Sequence, residues 1–447
     1  MRKPINLWRR PAAFHAGRRL VPDRLAARLL AATAVGILGA LVTVLFREAL
    51  TTVQAWLSGH EAQGMVSLAR GLAPWERLSL PVVGGALAGF ILHWARSSLP
   101  LQGAGDYMEA ISMGRGFIGF RQTVARSLAS LSSISSGASI GREGPMVQLA
   151  AMLASLFGRW LVWPPGRMRL LVACGATAGL TAVYNAPIAG ALFVSEIVFG
   201  VVSSATLVPL VVASVASNMV TRQLLGYDAV YHLPTFDFVS SWEVFAYLGL
   251  GVLAGLVAPV YLKLLEGARL LFTKWIEPLW LRLAAGGLVV GVISLQWPEV
   301  WGNGYSAVNS ILHEPWAWQA VALLLLMKVL ATAASSGSGA VGGIFTPTLF
   351  VGAALGHLYG TALHDTLPHV SAVSSYAAVG MGALLSAATH APLMSILMIF
   401  EMTLSYQAML PLMVACVMGY AVVRRLDAKS MYSRSLAARR KEEAGDR

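Results

Sequence analysis

Apolar runs recur along the chain, separated by short polar, glycine- or proline-bearing breaks. They lie near Leu29–Phe46, Leu80–His93, Leu170–Phe199, Ala205–Val220, Phe245–Leu264, Ala284–Leu295, Ala320–Ala334, Val341–Leu363, Tyr376–Phe400 and Leu410–Val423. The first is long enough and apolar enough to cross a bilayer as a helix. Several others are too short or too long for one straight span. Broken backbone at membrane depth is tolerated only where it packs inside protein or lines a polar cavity. The pattern therefore predicts an all-α, multi-span integral membrane protein whose helices are tilted, paired and interrupted around something polar.

Composition agrees: 56% of the 447 residues are hydrophobic and 12% charged, far more apolar than a soluble domain of this length requires. The net charge of +12 could indicate a nucleic-acid partner, but its distribution argues for topology instead. Residues 1–28 and 424–447 together hold 16 of the 33 basic residues, which assigns both termini to the cytoplasm by the positive-inside bias. Cys174 and Cys416 lie in apolar runs far apart in sequence, so no disulfide or metal framework is expected. No cofactor is expected either.

The two halves of the chain repeat each other. Ser135-Ser136-Gly137 precedes Gly141-Arg142-Glu143-Gly144-Pro145, and Ser335-Ser336-Gly337 precedes Gly343-Ile344-Phe345-Thr346-Pro347. Downstream, Asn185-Ala186-Pro187-Ile188 leads to Glu196 as His390-Ala391-Pro392-Leu393 leads to Glu401. The offset is 202 residues at Pro145/Pro347 and 205 at Pro187/Pro392. Motifs in register at nearly one offset argue for two homologous halves, a design used by channels and transporters whose site lies between repeats.

Each G-x-x-x-P segment reads as a helix start, because proline fits the first turn where its missing N–H is not needed. Two such starts, rich in glycine, would aim unpaired N–H groups and positive dipole ends at one point and form an anion site without a full positive charge. The alternative is that the glycines only let helices pack closely. Glu143, inside the first turn, could act as a tethered competitor of the anion that protonation releases; it could equally be half of a structural ion pair with Arg142.

Gly141–Pro145, Gly343–Pro347 and Tyr432 in Met431-Tyr432-Ser433 resemble the signature regions of the CLC family of chloride channels and chloride/proton antiporters. Asp106–Ala110, Trp301–Ser306 and Thr346–Phe350 support the resemblance, which is to the bacterial ClcB-like branch in particular. It implies a CLC-type fold of two inverted-topology repeats. The chain would divide into a basic cytoplasmic segment 1–28, a transmembrane domain 29–435 with halves roughly 29–225 and 240–435, and a cytoplasmic tail 436–447. Glu143 becomes the gating glutamate. The backbone amides of Ile344 and Phe345 and the Tyr432 hydroxyl become chloride ligands at a central site, with amides around Arg142 and Gly144 further out. A homodimer in the bacterial cytoplasmic membrane and an electrical-shunt role in acid resistance are implied by the same resemblance. Because the chain ends soon after Tyr432, no appended nucleotide-binding domains are expected.

Two departures from the family pattern bear on mechanism. Where the family's first motif carries a serine hydroxyl, this chain reads Gly103-Ala104-Gly105-Asp106-Tyr107, which leaves only backbone amides to serve and puts selectivity among small anions in question. Where proton-coupled members carry an inner glutamate, it has Ile197, next to Glu196, which is left as a relay or a structural acid. A glutamate-gated chloride pathway with weak proton coupling is thus expected, with a coupled chloride/proton antiporter as the alternative. A cation-coupled solute transporter would need an oxygen-rich pocket, for which Glu143 and Asp106 are the candidates near the signature turns. Zinc, nucleophile-elbow and P-loop motifs of enzymes are not found in the sequence.

Overall fold

The computed structural model describes residues 24–58, 64–98, 106–226, 229–234, 236, 242–367, 370–427 and 429–434. The basic residues before Arg24, the Gly103–Gly105 stretch and the tail 436–447 lie outside the described residues. Within them the secondary structure is helical, apart from one isolated antiparallel β-bridge between Gly141 and Gly343.

Helix α1 (Arg24–Ser58) is followed by the short α2 (Met65–Gly71). At 1.5 Å per residue α1 is about 50 Å long, more than the ~30 Å of bilayer hydrocarbon, so it must tilt or protrude. The first set of repeated helices then runs α3 (Pro74–Ser98), α4 (Tyr107–Ser112), α5 (Phe120–Ser135), α6 (Glu143–Trp160), α7 (Pro165–Tyr184), α8 (Pro187–Phe193) and α9 (Ser204–Leu225). After α10 (Glu243–Trp275) the same order returns. It comprises α11 (Leu279–Ser294), α12 (Tyr305–His313), α13 (Trp318–Ser338), α14 (Phe345–Thr366), α15 (Val373–Thr389), α16 (Pro392–Thr403) and α17 (Met409–Leu426). The starts of α6 and α14 are 202 residues apart, and those of α8 and α16, like those of α9 and α17, are 205 apart.

Several apolar runs resolve differently from straight spans. Leu170–Phe199 covers α7, α8 and a π-helical turn at Val194–Val198, and Tyr376–Phe400 covers α15 and α16. Both pairs break the same way: Asn185 and His390 take left-handed backbone (φ 53° and 61°), and a proline at the first position restarts the helix. Asparagine is among the residues that tolerate this conformation, and Asn185 Oδ1 accepts a hydrogen bond at 2.7 Å from Nδ2 of Asn218 on α9. The run at Val341–Leu363 becomes helical only at Phe345, as its G-x-x-x-P pattern requires. Helices α5 and α6 were not marked by any apolar run. In α5 the serines bond back to the preceding turn, Ser133 Oγ to the Ala129 carbonyl and Ser135 Oγ to that of Leu131, so polar side chains are satisfied inside the helix.

Small residues set how closely the helices approach. A Cβ on Gly352 of α14 would meet the Gly380 carbonyl oxygen of α15 at 2.5 Å, and one on Gly380 would meet that of Gly352 at 2.4 Å. Backbone-to-backbone contact of this kind replaces the hydrophobic effect, which gives little drive for association between helices already in lipid. The two halves are joined by hydrogen bonds exchanged between equivalent positions. Gly141 N–H donates to the Gly343 carbonyl at 2.7 Å, and Gly343 N–H to that of Gly141 at 2.8 Å. Such exchange between repeat mates marks a pseudo-two-fold axis passing between the starts of α6 and α14.

Candidate functional site

The bridge of glycines brings the two G-x-x-x-P turns together at mid-chain of the fold. Helix α6 begins at Glu143 and α14 at Phe345, and neither start is capped by the side chain of the residue before it, Arg142 or Ile344. N–H groups at both starts are therefore available to a third party. Glu143 takes one of them: its Oε1 accepts from the N–H of Thr346, in the other half, at 3.2 Å. The carboxylate is 95% buried by residue, and its Oε2 has no hydrogen-bond partner.

The motif glycines make room for that carboxylate. A Cβ at Gly141 would sit 1.9 Å from Glu143 Oε2, and one at Gly343 2.3 Å from Oε1. Neither glycine has positive φ, so the constraint is space alone. Arg142 does not pair with Glu143. Its guanidinium carbon lies 5.8 Å from the centre of the Tyr305 ring, a cation–π placement, and its buried Nε has no partner. The structural ion pair considered from sequence is thus not formed.

Beneath the two helix starts a chain of aromatic rings leads to Tyr432. Tyr184 and Phe345 have centroids 5.1 Å apart, Phe345 and Phe193 6.3 Å, and Phe193 and Tyr432 5.4 Å. Tyr184 Oη shares a 3.2 Å hydrogen bond with Thr346 Oγ1, so it braces the residue whose N–H holds Glu143. Tyr432, on a helical turn after α17, packs half-buried against the core, and its hydroxyl makes no hydrogen bond among the described residues. The fold therefore gathers Glu143, Gly144, Phe345 and Tyr432 from both halves and the C-terminal segment. Tyr184, Thr346 and Tyr305 join them: Thr346 and Tyr305 lie inside the segments that carry the family resemblance but had no role assigned, and Tyr184 is the residue just before the repeated Asn-Ala-Pro break.

Of the stretch expected to offer amides in place of a serine, Gly103–Gly105 lie outside the described residues, and the two amides at the start of α4 are engaged elsewhere. Tyr107 N–H donates to Gln148 Oε1 at 2.8 Å, and Met108 N–H to Asp106 Oδ1 at 2.9 Å. Both amides are occupied, and Asp106 is spent as an N-cap.

Glu196 and Glu401 form a second reciprocal pair. Glu196 accepts from the N–H groups of Leu393 and Met394 at the start of α16 (3.3 and 2.8 Å), and Glu401 from those of Ile188 and Ala189 at the start of α8 (2.9 and 2.8 Å). Each half caps the other's helix, where a carboxylate also meets the favourable end of the dipole. Ile197 is partly buried against the core beside Glu196.

A helical membrane protein of two inverted halves, whose broken helices meet at one buried site, is the class these features define. Residues 84–424 match the family model for voltage gated chloride channels. The chain belongs to this family, the CLC family. It is 59% identical over 411 residues to the ClcB-like chloride channel protein of Ralstonia nicotianae, a match covering 91% of this chain and 96% of the relative. It is 41% identical over 415 residues to the voltage-gated ClC-type chloride channel ClcB of Escherichia coli, covering 92% and 99%. Among solved structures, a slow cyanobacterial Cl−/H+ antiporter superposes with a TM-score of 0.80 at 24% identity, covering 94% of this chain and 99% of that one. A CLC-type fluoride/proton antiporter gives 0.75 at 21%, covering 91% and 97%.

Proposed function

We propose that the protein passes chloride across a bacterial cytoplasmic membrane through a pathway gated by Glu143, with weak coupling to protons. The observation that carries this reading is the placement of the Glu143 carboxylate from one half on the Thr346 N–H of the other, over glycines that leave space for it. A negative group held where helix starts converge occupies the position an anion would take. Chloride and the carboxylate then compete for the same donors, and protonation releases the carboxylate.

The amides of Ile344 and Phe345 and the Tyr432 hydroxyl hold the anion on one side of the gate, and those around Arg142 and Gly144 hold it on the other. Donors without a formal positive charge suit conduction, since a fixed cation would retain the ion. Weak coupling is supported by Ile197, which carries no proton, and by Glu196, whose two oxygens are both committed to backbone N–H groups. Moving a proton through Glu196 would mean breaking that cap. Both termini are assigned to the cytoplasm, and the exposed apolar side chains Ile188 and Leu393, repeat mates at the starts of α8 and α16, suit the homodimer interface. An electrical shunt during acid stress is the corresponding cellular role.

Reconstitution tests the whole reading. Chloride flux from proteoliposomes should rise as pH falls in the parent protein and be nearly independent of pH in Glu143→Gln. A glutamine variant that keeps the parent's pH dependence removes the gate assignment. Reversal potentials under opposed chloride and pH gradients separate weak coupling from antiport: protons driven uphill at a fixed ratio would establish the antiporter.

A further inference from the structure

A cavity of about 300 Å³ opens at the far end of α6 from the gate, where the α6–α7 turn meets the first turns of α1 and α9. Helix α6 has 18 residues, which separates this cavity from Glu143 by about 27 Å at 1.5 Å per residue. Its lining includes Arg28, Trp163, Arg167, Leu171 and Pro209. Neither arginine forms an ion pair among the described residues, and the buried Nε of Arg28 has no acceptor. Two cationic forks thus face a cavity whose remaining wall is largely apolar.

The turn beside it carries a consecutive apolar group. Trp160 is 77% exposed, Leu161 39% and Val162 86%, with Trp163 next and Pro164 and Pro165 following. Val162 has φ 53°, a left-handed conformation that is costly for a β-branched side chain and turns it outward. Tryptophans and aliphatic residues exposed at a helix turn belong at the boundary of headgroups and acyl chains. Arg159, Arg167 and Arg169 flank the same turn, which assigns it to the cytoplasmic face.

We propose that this cavity binds the phosphate of an anionic phospholipid from the cytoplasmic leaflet, with Arg28 and Arg167 on the phosphate oxygens and Leu171 and Pro209 against the start of an acyl chain. Arginine's planar fork matches a phosphodiester, and basic pockets between membrane helices on this side suit anionic headgroups. A soluble phosphate satisfies the arginines but leaves the apolar wall uncovered. Phosphatidylcholine brings a choline cation toward two guanidinium groups.

Native mass spectrometry of the full-length protein tests this after incubation with phosphatidylglycerol, phosphatidylcholine or soluble glycerol phosphate. Phosphatidylglycerol adducts should survive about tenfold better than the other two, and Arg28→Ala with Arg167→Ala should lower their retention about tenfold, in keeping with loss of charge-assisted bonds. Gly166→Glu is a second arm that preserves folding. A Cβ at this cavity-lining position meets nothing within 4 Å, and an acid in the first turn of α7 favours the helix while repelling phosphate. It should cause the same loss. Equal retention of phosphatidylcholine, equal binding of glycerol phosphate, or adducts unchanged by Gly166→Glu would each overturn the assignment.

Discussion

Adding one methyl group at Gly343 probes the gate without touching its carboxylate. A Cβ there would lie 2.3 Å from Glu143 Oε1, 2.5 Å from Cδ and 2.6 Å from Cγ, and these three nearest atoms all belong to that one side chain. The flexible carboxylate must swing away, and the 3.2 Å bond from the Thr346 N–H is lost with it. A hydrogen bond to a charged group contributes about 1.5–3 kcal/mol. Since about 1.4 kcal/mol is tenfold in an equilibrium, occupancy of the site by the tethered carboxylate should fall roughly ten- to a hundredfold in Gly343→Ala. Chloride efflux from proteoliposomes at neutral pH should therefore approach the flux that the parent protein reaches only in acid. In a Glu143→Ala background the same methyl group should change little, because nothing remains to displace. A Gly343→Ala variant with the parent's pH dependence, or one whose effect is undiminished in the Glu143→Ala background, would refute competition between carboxylate and anion.

Tyr432→Ala should weaken chloride binding in calorimetry without loss of expression; unchanged binding means that backbone amides alone make the central site. Glu196→Gln and Glu401→Gln should lower thermal stability by similar amounts, about 1.5–3 kcal/mol each if one charge-assisted bond is lost, while chloride flux persists. A Glu196→Gln variant with parental melting but no proton movement would instead reveal a relay. Asp427 steadies the Tyr432 segment through the Lys429 N–H and Arg434, which also pairs with Glu266. Asp427→Asn should therefore weaken chloride binding at neutral pH and leave the acid activation of flux, which belongs to Glu143, in place.

Local chemistry made much of this legible in the sequence. Proline after glycine announced the starts of α6 and α14, and the Asn-Ala-Pro and His-Ala-Pro breaks split two long runs into helix pairs. Comparing the halves revealed a repeat whose mates then met in space. Helix α5 escaped because an apolar run does not mark a helix whose serines bond to its own carbonyls. Glu196 and Glu401 were visible as repeat mates, yet their exchange of helix caps across the halves depends on contacts 198 and 212 residues away. The occupied Tyr107 amide of α4 was hidden for a similar reason: Gln148 reaches it from α6.

The pseudo-two-fold axis between Gly141 and Gly343 relates unequal partners at the residue that matters. Glu143 opens one helix, and its counterpart 202 positions on is Phe345. One half thus supplies the carboxylate and the other only receives it. Turning the molecule upside down does not reproduce it, so the pathway has an intrinsic polarity despite its duplicated frame. Vesicles that incorporate the protein in both orientations contain two functionally distinct populations, and acidifying the outer medium alone should address one of them first.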